Sequence, residues 1–112
     1  MELTVETLPN GVTKAKLVGR LDIDGAAQID VRFSALSGAA HGLAVDMSEV
    51  TFVASMGIRT LMLAARGLGA NGRRLALVNP QPNVEKALRA TGVDEVMEIF
   101  TDLDSAADAL KG

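Results

Sequence analysis

Apolar and polar residues mostly alternate over Glu2-Leu-Thr-Val-Glu-Thr-Leu8 and again over Val12-Thr-Lys-Ala-Lys-Leu-Val18, the period-two signature of half-exposed strands. Pro9-Asn-Gly11 lies between them as a turn signal, so the chain opens as an antiparallel hairpin. Past Gly19 the period lengthens. Ala26, Ile29, Phe33 and Leu36 share one face of a helix capped by Asp22 or Asp24 and ended by Ser37-Gly38. Leu43-Ala-Val-Asp-Met47 is short, apolar and bounded by Gly42 and Ser48, as expected of a strand covered on both faces. Val50, Phe52 and Val53 follow in a loop that must tuck them away. Ser55 then stands at or beside the N-cap of a helix whose Ile58, Leu61, Met62, Ala65 and Leu68 form one apolar face.

Strands and helices keep alternating. Gly67-Leu-Gly69-Ala-Asn-Gly72 closes the central helix, and Arg74-Leu-Ala-Leu-Val78 is another buried strand. Asn79-Pro-Gln-Pro82 turns into a helix with Pro82 at its first position and Val84, Ala87, Leu88 and Thr91 facing inward, up to Gly92. Val96-Met-Glu-Ile-Phe100 is a last short strand. Thr101-Asp-Leu-Asp104 is a capping-box-like start for a final helix with Leu103, Ala107 and Leu110 on one side and Asp104, Asp108 and Lys111 in solvent. This order predicts a layered α/β fold, with a mixed sheet of about five strands, the opening hairpin on one side and about four helices. Residues 1–112 read as one domain. In such sheets sites gather where strands end and helices begin, which groups Asp22 with Ser55.

Composition narrows the chemistry. Hydrophobic residues make up 48% of the chain, yet Phe33, Phe52 and Phe100 are its only aromatics, so the core has to be aliphatic. The lack of cysteine excludes disulfides, a thiolate nucleophile and Cys-based metal sites. With a net charge of −3, scattered basic residues and few aromatics, nucleic-acid binding is not expected. The first residues lack a signal-peptide pattern and no run approaches roughly 18 apolar residues, so a cytoplasmic, soluble protein without membrane insertion is expected. His41 is the only histidine and reads as a solvated loop residue. The predicted strand would hold it roughly 15 Å from Ser55, too far for a Ser-His-Asp triad. One histidine and scattered carboxylates give no metal-ligand spacing. Gly67 to Gly72 formally fits Gly-x-Gly-x-x-Gly, but those glycines close a helix instead of opening one, so no nucleotide is expected there. Neither catalytic residues nor a cofactor or metal is anticipated, and the chain reads as a non-enzyme.

Ser55 has two available roles. It can cap the helix through a backbone N–H, or it can carry a phosphate, which a helix N-terminus tolerates through its free N–H groups and dipole. Here the residues resemble a known family. Asp46-Met-Ser-Glu-Val-Thr-Phe-Val-Ala-Ser55-Met-Gly57-Ile-Arg-Thr-Leu61 is similar to the strand, loop and helix that carry the phosphorylatable serine of STAS domains in bacterial anti-sigma factor antagonists. Leu17-Val-Gly19-Arg-Leu21-Asp22 resembles the family's Gly-x-Leu-Asp turn, Leu75-Ala-Leu-Val-Asn-Pro80 its next strand, and Leu88-Arg-Ala-Thr-Gly92 the end of its third helix.

The resemblance implies a STAS-like fold and an anti-sigma factor antagonist. Such a protein binds a sigma-regulating anti-sigma factor of the serine-kinase ATPase type, is switched off by phosphorylation of Ser55, and is restored by a phosphatase. It also implies a partner surface made of Asp22, Ala54, Met56, Gly57, Arg59 and Thr60 around Ser55. The chain departs from the best-known members beside the acceptor. Ala54 stands where they have Asp, and Met56 where they have Ser or Thr. Two alternatives keep the fold without the phosphate: an adaptor subunit of a transporter or signalling assembly, with Met56 and Ile58 in an apolar patch, and a small-molecule sensor.

Overall fold

Asn10 builds the first turn, its Oδ1 accepting from the Val12 N–H at 3.1 Å while Gly11 takes a φ of +91°. The computed structural model describes residues 1–111. Strands β1 (Glu2–Thr7) and β2 (Thr13–Leu21) form the expected antiparallel hairpin, with Leu3 opposite Leu17 and Thr7 opposite Thr13. Then come α1 (Ile23–Ala39), β3 (Leu43–Val53), α2 (Ser55–Gly69), β4 (Leu75–Val78) and α3 (Pro82–Ala90). A 3₁₀ turn (Val93–Glu95), β5 (Glu98–Phe100) and α4 (Leu103–Leu110) complete the chain. The five strands lie in the order β1-β2-β3-β4-β5, and every pair after the hairpin is parallel, as strand-helix alternation requires.

Alternation along the strands separates two layers of packing. Leu43, Val45, Met47, Leu75 and Leu77 face the larger core, where they meet Ile29 and Phe33 of α1, Ile58, Leu61 and Leu68 of α2, and Val84 and Leu88 of α3. The opposite face is covered only by α4. There Ala44 and Ala76 are small enough to let Ala106 and Leu110 approach, beside Val12 and Val78. Beyond α4 that face turns polar and is laced by Lys16–Glu49 at 2.6 Å, Lys14–Glu6 at 3.7 Å and Lys14–Asp46 at 3.9 Å.

Several boundaries differ from the sequence expectation. Strand β3 does not stop at Met47 but continues to Val53, pairing with β2 across two register shifts. On the other side of β3, β4 pairs with it only over Leu43 to Asp46. The second half of β3 is held instead by side-chain amides from the start of α3: Gln81 donates to the Ser48 carbonyl at 3.0 Å and Asn83 to the Thr51 carbonyl at 3.1 Å. Such long-range partners leave no trace in local periodicity. Helix α1 runs through Ser37-Gly38 to Ala39, since Ser37 folds its hydroxyl back onto the Ser34 carbonyl and stays helical. Thr91 is exposed, not inward, and bonds the Leu88 carbonyl. Asp102, not Thr101, caps α4 by accepting from the Ser105 N–H at 2.7 Å. The buried side of α4 is Ala106 and Leu110, with Leu103 and Ala107 half-buried.

Two glycines set how closely the helices approach the sheet. A Cβ at Gly57 would strike the Leu21 carbonyl oxygen and Cγ, and one at Gly25 the Arg20 carbonyl, whereas one at Gly38 would meet nothing within 4 Å. Gly57→Ala is therefore expected to destabilise the protein by about 1–3 kcal/mol, as overpacking against backbone does. Gly38→Ala should stabilise it by about 0.5–1 kcal/mol by restricting the unfolded chain. Urea midpoints at constant slope measure both, and similar midpoints for the two variants would contradict this account.

Candidate functional site

The C-terminal ends of β2 and β3 lie side by side, and each launches a helix. Leu21 pairs with Val53 as the last matched residues, and the Ala54 N–H donates to the Leu21 carbonyl at 3.0 Å. Asp22 and Ala54, one residue beyond that pair, are the N-caps of α1 and α2. Two helix N-termini, with their free N–H groups, are thereby gathered at one edge of the fold.

The two caps differ in chemistry. Asp22 is a true side-chain cap, its Oδ1 accepting from the Gly25 N–H at 2.8 Å while Arg20 Nε reaches Oδ2 at 3.4 Å. The Gly25 N–H holds the carboxyl below the usual carboxylate range. Partial desolvation opposes this and Arg20 adds to it. Ala54 supplies no side-chain bond, so the expected capping role of Ser55 is not the one it has. Ser55 is instead the first residue of α2 and is exposed. Among the described helices α2 alone has no acidic residue in its first turn, while α1 has Asp24, α3 Glu85 and α4 Asp104. The positive end of its dipole thus meets a hydroxyl and no carboxylate.

Around this point the expected partner residues divide. Ala54 is half-buried, Met56 is 40% exposed and Arg59 is exposed. Gly57 is buried against Leu21, so it serves close packing and presents nothing to a partner. Thr60 is only 5% exposed, with its hydroxyl donating to Asp30 Oδ1 at 2.8 Å and contacting the Met56 carbonyl oxygen at 3.2 Å. It ties α2 to α1 and is not the surface residue the sequence implied. Met56 and Ile58 form no joint patch, because Ile58 belongs to the core. The exposed apolar residues on the segments that bear Asp22 and Ser55 include Ile23, Phe52, Met56 and Leu63.

Phe52 is a residue the sequence reading misplaced. Strand alternation turns it out beside Arg20, whose guanidinium carbon lies 4.3 Å from the ring centroid. The signal was the Phe52-Val53 pair read as a continuation of the strand, with successive residues on opposite faces. His41 is exposed and lies at the other end of β3, whose 11 residues keep it far from Ser55, more than roughly 20 Å at 3.3 Å per residue. Among the described residues no cluster of three or more His, Cys, Asp or Glu could hold a metal ion, and no helix is long and apolar enough to cross a membrane.

A family model described as Mlab, STAS domain, matches residues 6–101. No functionally curated protein matches the chain. An anti-sigma factor antagonist from Mycobacterium paratuberculosis superposes with a TM-score of 0.87 at 24% identity, over 97% of this chain and 92% of that one. The Bacillus cell fate determinant SpoIIAA in its phosphorylated form gives a TM-score of 0.73 at 24% identity, over 96% and 98%. The murine Solute Carrier 26 family member A9 anion transporter gives a TM-score of 0.75 at 25% identity, over 88% of this chain but 17% of the transporter. At such identities the likeness is one of fold.

The depressed Asp22 carboxyl carries a pH signature. Its folded value lies below its unfolded value of about 3.9, so its contribution to stability is complete above that pH and is lost as pH falls through the folded value. Asp22→Ala should lower the melting temperature at pH 7 and reduce the acid sensitivity seen below about pH 4. A variant whose acid unfolding curve keeps the wild-type shape would remove Asp22 from this role.

Proposed function

The chain belongs to the STAS domain family, and from that premise we propose that it acts as an anti-sigma factor antagonist, switched by phosphorylation of Ser55. One observation carries the proposal: Ser55 is an exposed hydroxyl at the first position of α2, not used as a cap, at the only described helix start without a carboxylate. The family membership and the antagonists of the same fold support the class of function.

The unmodified protein binds an anti-sigma factor of the serine-kinase ATPase type through the surface that surrounds Ser55, with Asp22, Ala54, Met56 and Arg59 as its contact residues. Phosphoryl transfer forms a bond from Ser55 Oγ to the γ-phosphorus of ATP, breaks the bond from that phosphorus to ADP, and passes the hydroxyl proton to a base of the kinase. The product carries about −1.5 to −2 charges at that point, next to the Asp22 carboxylate. Like charges meeting at an interface cost several kcal/mol, so one phosphate suffices to release the partner. A phosphatase restores the hydroxyl. In this scheme residues 1–112 form one STAS domain that works in the cytoplasm as a binding protein, not an enzyme.

The transporter likeness supports a second reading, a STAS adaptor bound constitutively within a transport assembly. The two are separated by intact mass after incubation with the kinase and ATP. The switch requires a gain of one phosphate in the wild type and none in Ser55→Ala. It also requires Ser55→Asp to lose partner affinity by about tenfold or more, equivalent to about 1.4 kcal/mol, at an unchanged melting temperature. Wild-type affinity in Ser55→Asp would favour the adaptor.

A further inference from the structure

Helix α2 contains no Asp or Glu, and its exposed side carries Arg59 and Arg66. Lys14, Lys16, Arg20, Arg74, Arg89 and Lys111 each sit within ion-pair distance of a carboxylate, whereas among the described residues Arg59 and Arg66, like Arg32, Arg73 and Lys86 on other elements, have no such partner; α2 differs in carrying two of these cations on one face with no acidic residue of its own. These two cations are separated by two helical turns, about 10.5 Å along the axis. Between them lie half-buried Met62 and Leu63, the latter 49% exposed. Ser55, Ile58, Arg59, Met62, Leu63 and Arg66 together line one shallow depression of about 320 Å³. Leu63 is also shared with a second groove between α1 and α2, of about 560 Å³, where Val31 is 82% exposed and Asp30, which accepts from the Thr60 hydroxyl, is the one carboxylate of the lining, so the positive side of the stripe is the Arg59 and Arg66 side.

We infer that this stripe of α2 docks an acidic amphipathic helix of a partner protein, its carboxylates on Arg59 and Arg66 and its apolar side on Met62, Leu63 and Val31. Charge complementarity selects the occupant. In a chain of net charge −3 the unpaired positive charge of this face attracts an acidic segment, and the grooves on either side of Leu63 receive apolar side chains at helical spacing. An anionic membrane is the weaker match, because two arginines fall short of the clusters of four or more basic residues that hold a protein to such a surface.

This inference rests on the proposed switch and names its chemistry. Ser55 lies four residues before Arg59 in the same depression, so a phosphate there pairs with Arg59 and repels the incoming carboxylates at once.

The test uses the full chain labelled with nitrogen-15 and titrated with synthetic helical peptides that have one leucine-rich side and either a glutamate or a lysine side. The glutamate peptide should shift the amides of Met56, Arg59, Met62, Leu63 and Arg66, bind more weakly as salt rises, and lose about tenfold in affinity to the double variant R59E/R66E at an unchanged melting temperature. The milder R59Q/R66Q pair should lose less and serves as a check on folding. Equal binding of the lysine peptide, shifts centred elsewhere, arginine-dependent binding to phosphatidylglycerol vesicles in place of the peptide, or peptide-free shifts that grow with protein concentration would each overturn the inference. Ser55→Ala should keep the peptide and Ser55→Asp should weaken it. Peptide binding without any kinase-dependent mass gain would sink the phosphorylation switch alone, whereas phosphorylation without peptide binding would sink the docking stripe alone.

Discussion

Much of the site depends on the close approach of α2 to the end of β2 at Leu21. That residue is fully buried, its carbonyl accepts the Ala54 N–H, and Gly57 leaves room for α2 to settle on it. Any side chain at Gly57 would push the helix away from the strand, and with it the first turn that bears Ser55. Asp22 follows Leu21 directly, so the same contact that fixes α2 also fixes the cap of α1. A surface hydroxyl and a carboxylate from segments more than thirty residues apart are thereby held together by a core contact, not by a bond between themselves.

A second constraint keeps this edge from fraying. The parallel partner β4 covers only the first part of β3, which leaves the carbonyls of Ser48 and Thr51 without a strand on that side. Gln81 and Asn83 satisfy them from the turn into α3. A half-buried carbonyl such as that of Ser48 is costly without a partner, so the Gln81 amide, with Asn83 beside it, supports the stretch of β3 that runs six residues past Met47 to Ala54 at the cap position. The site therefore leans on α3 as well as on α1 and α2.

The fold was readable because each of its elements announces itself locally. The hairpin lies in Pro9-Asn10-Gly11 between two alternating runs, the parallel sheet in short apolar runs separated by helices, and the α1 cap in Asp22 or Asp24, of which Asp22 takes the role. What could not be read from local pattern depends on distant partners. The length of β3 is set by β2, Gln81 and Asn83, and the burial of Thr60 by Asp30 on another helix. Thr60 was expected at the surface as part of the partner-binding turn that the family resemblance implied, and only the packing of α1 on α2 shows that its hydroxyl has a buried purpose. The outward turn of Phe52 depends likewise on the strand continuing where the sequence signalled a loop.

These features bear on how a single charge can act here. The other helices already have a carboxylate in their first turn, which uses up the favourable interaction with the dipole. Helix α2 has none, and among the described residues its exposed cations have no carboxylate within ion-pair distance. A negative group arriving at this helix, whether attached to Ser55 or brought by another molecule, meets an N-terminus and an arginine that are both uncompensated. On the proposed reading, attachment and docking draw on the same positive potential, and one excludes the other. Because Leu21 and Gly57 set α2 close against the sheet, the competition so proposed needs only a change of charge at the helix surface, not a rearrangement of the core beneath it.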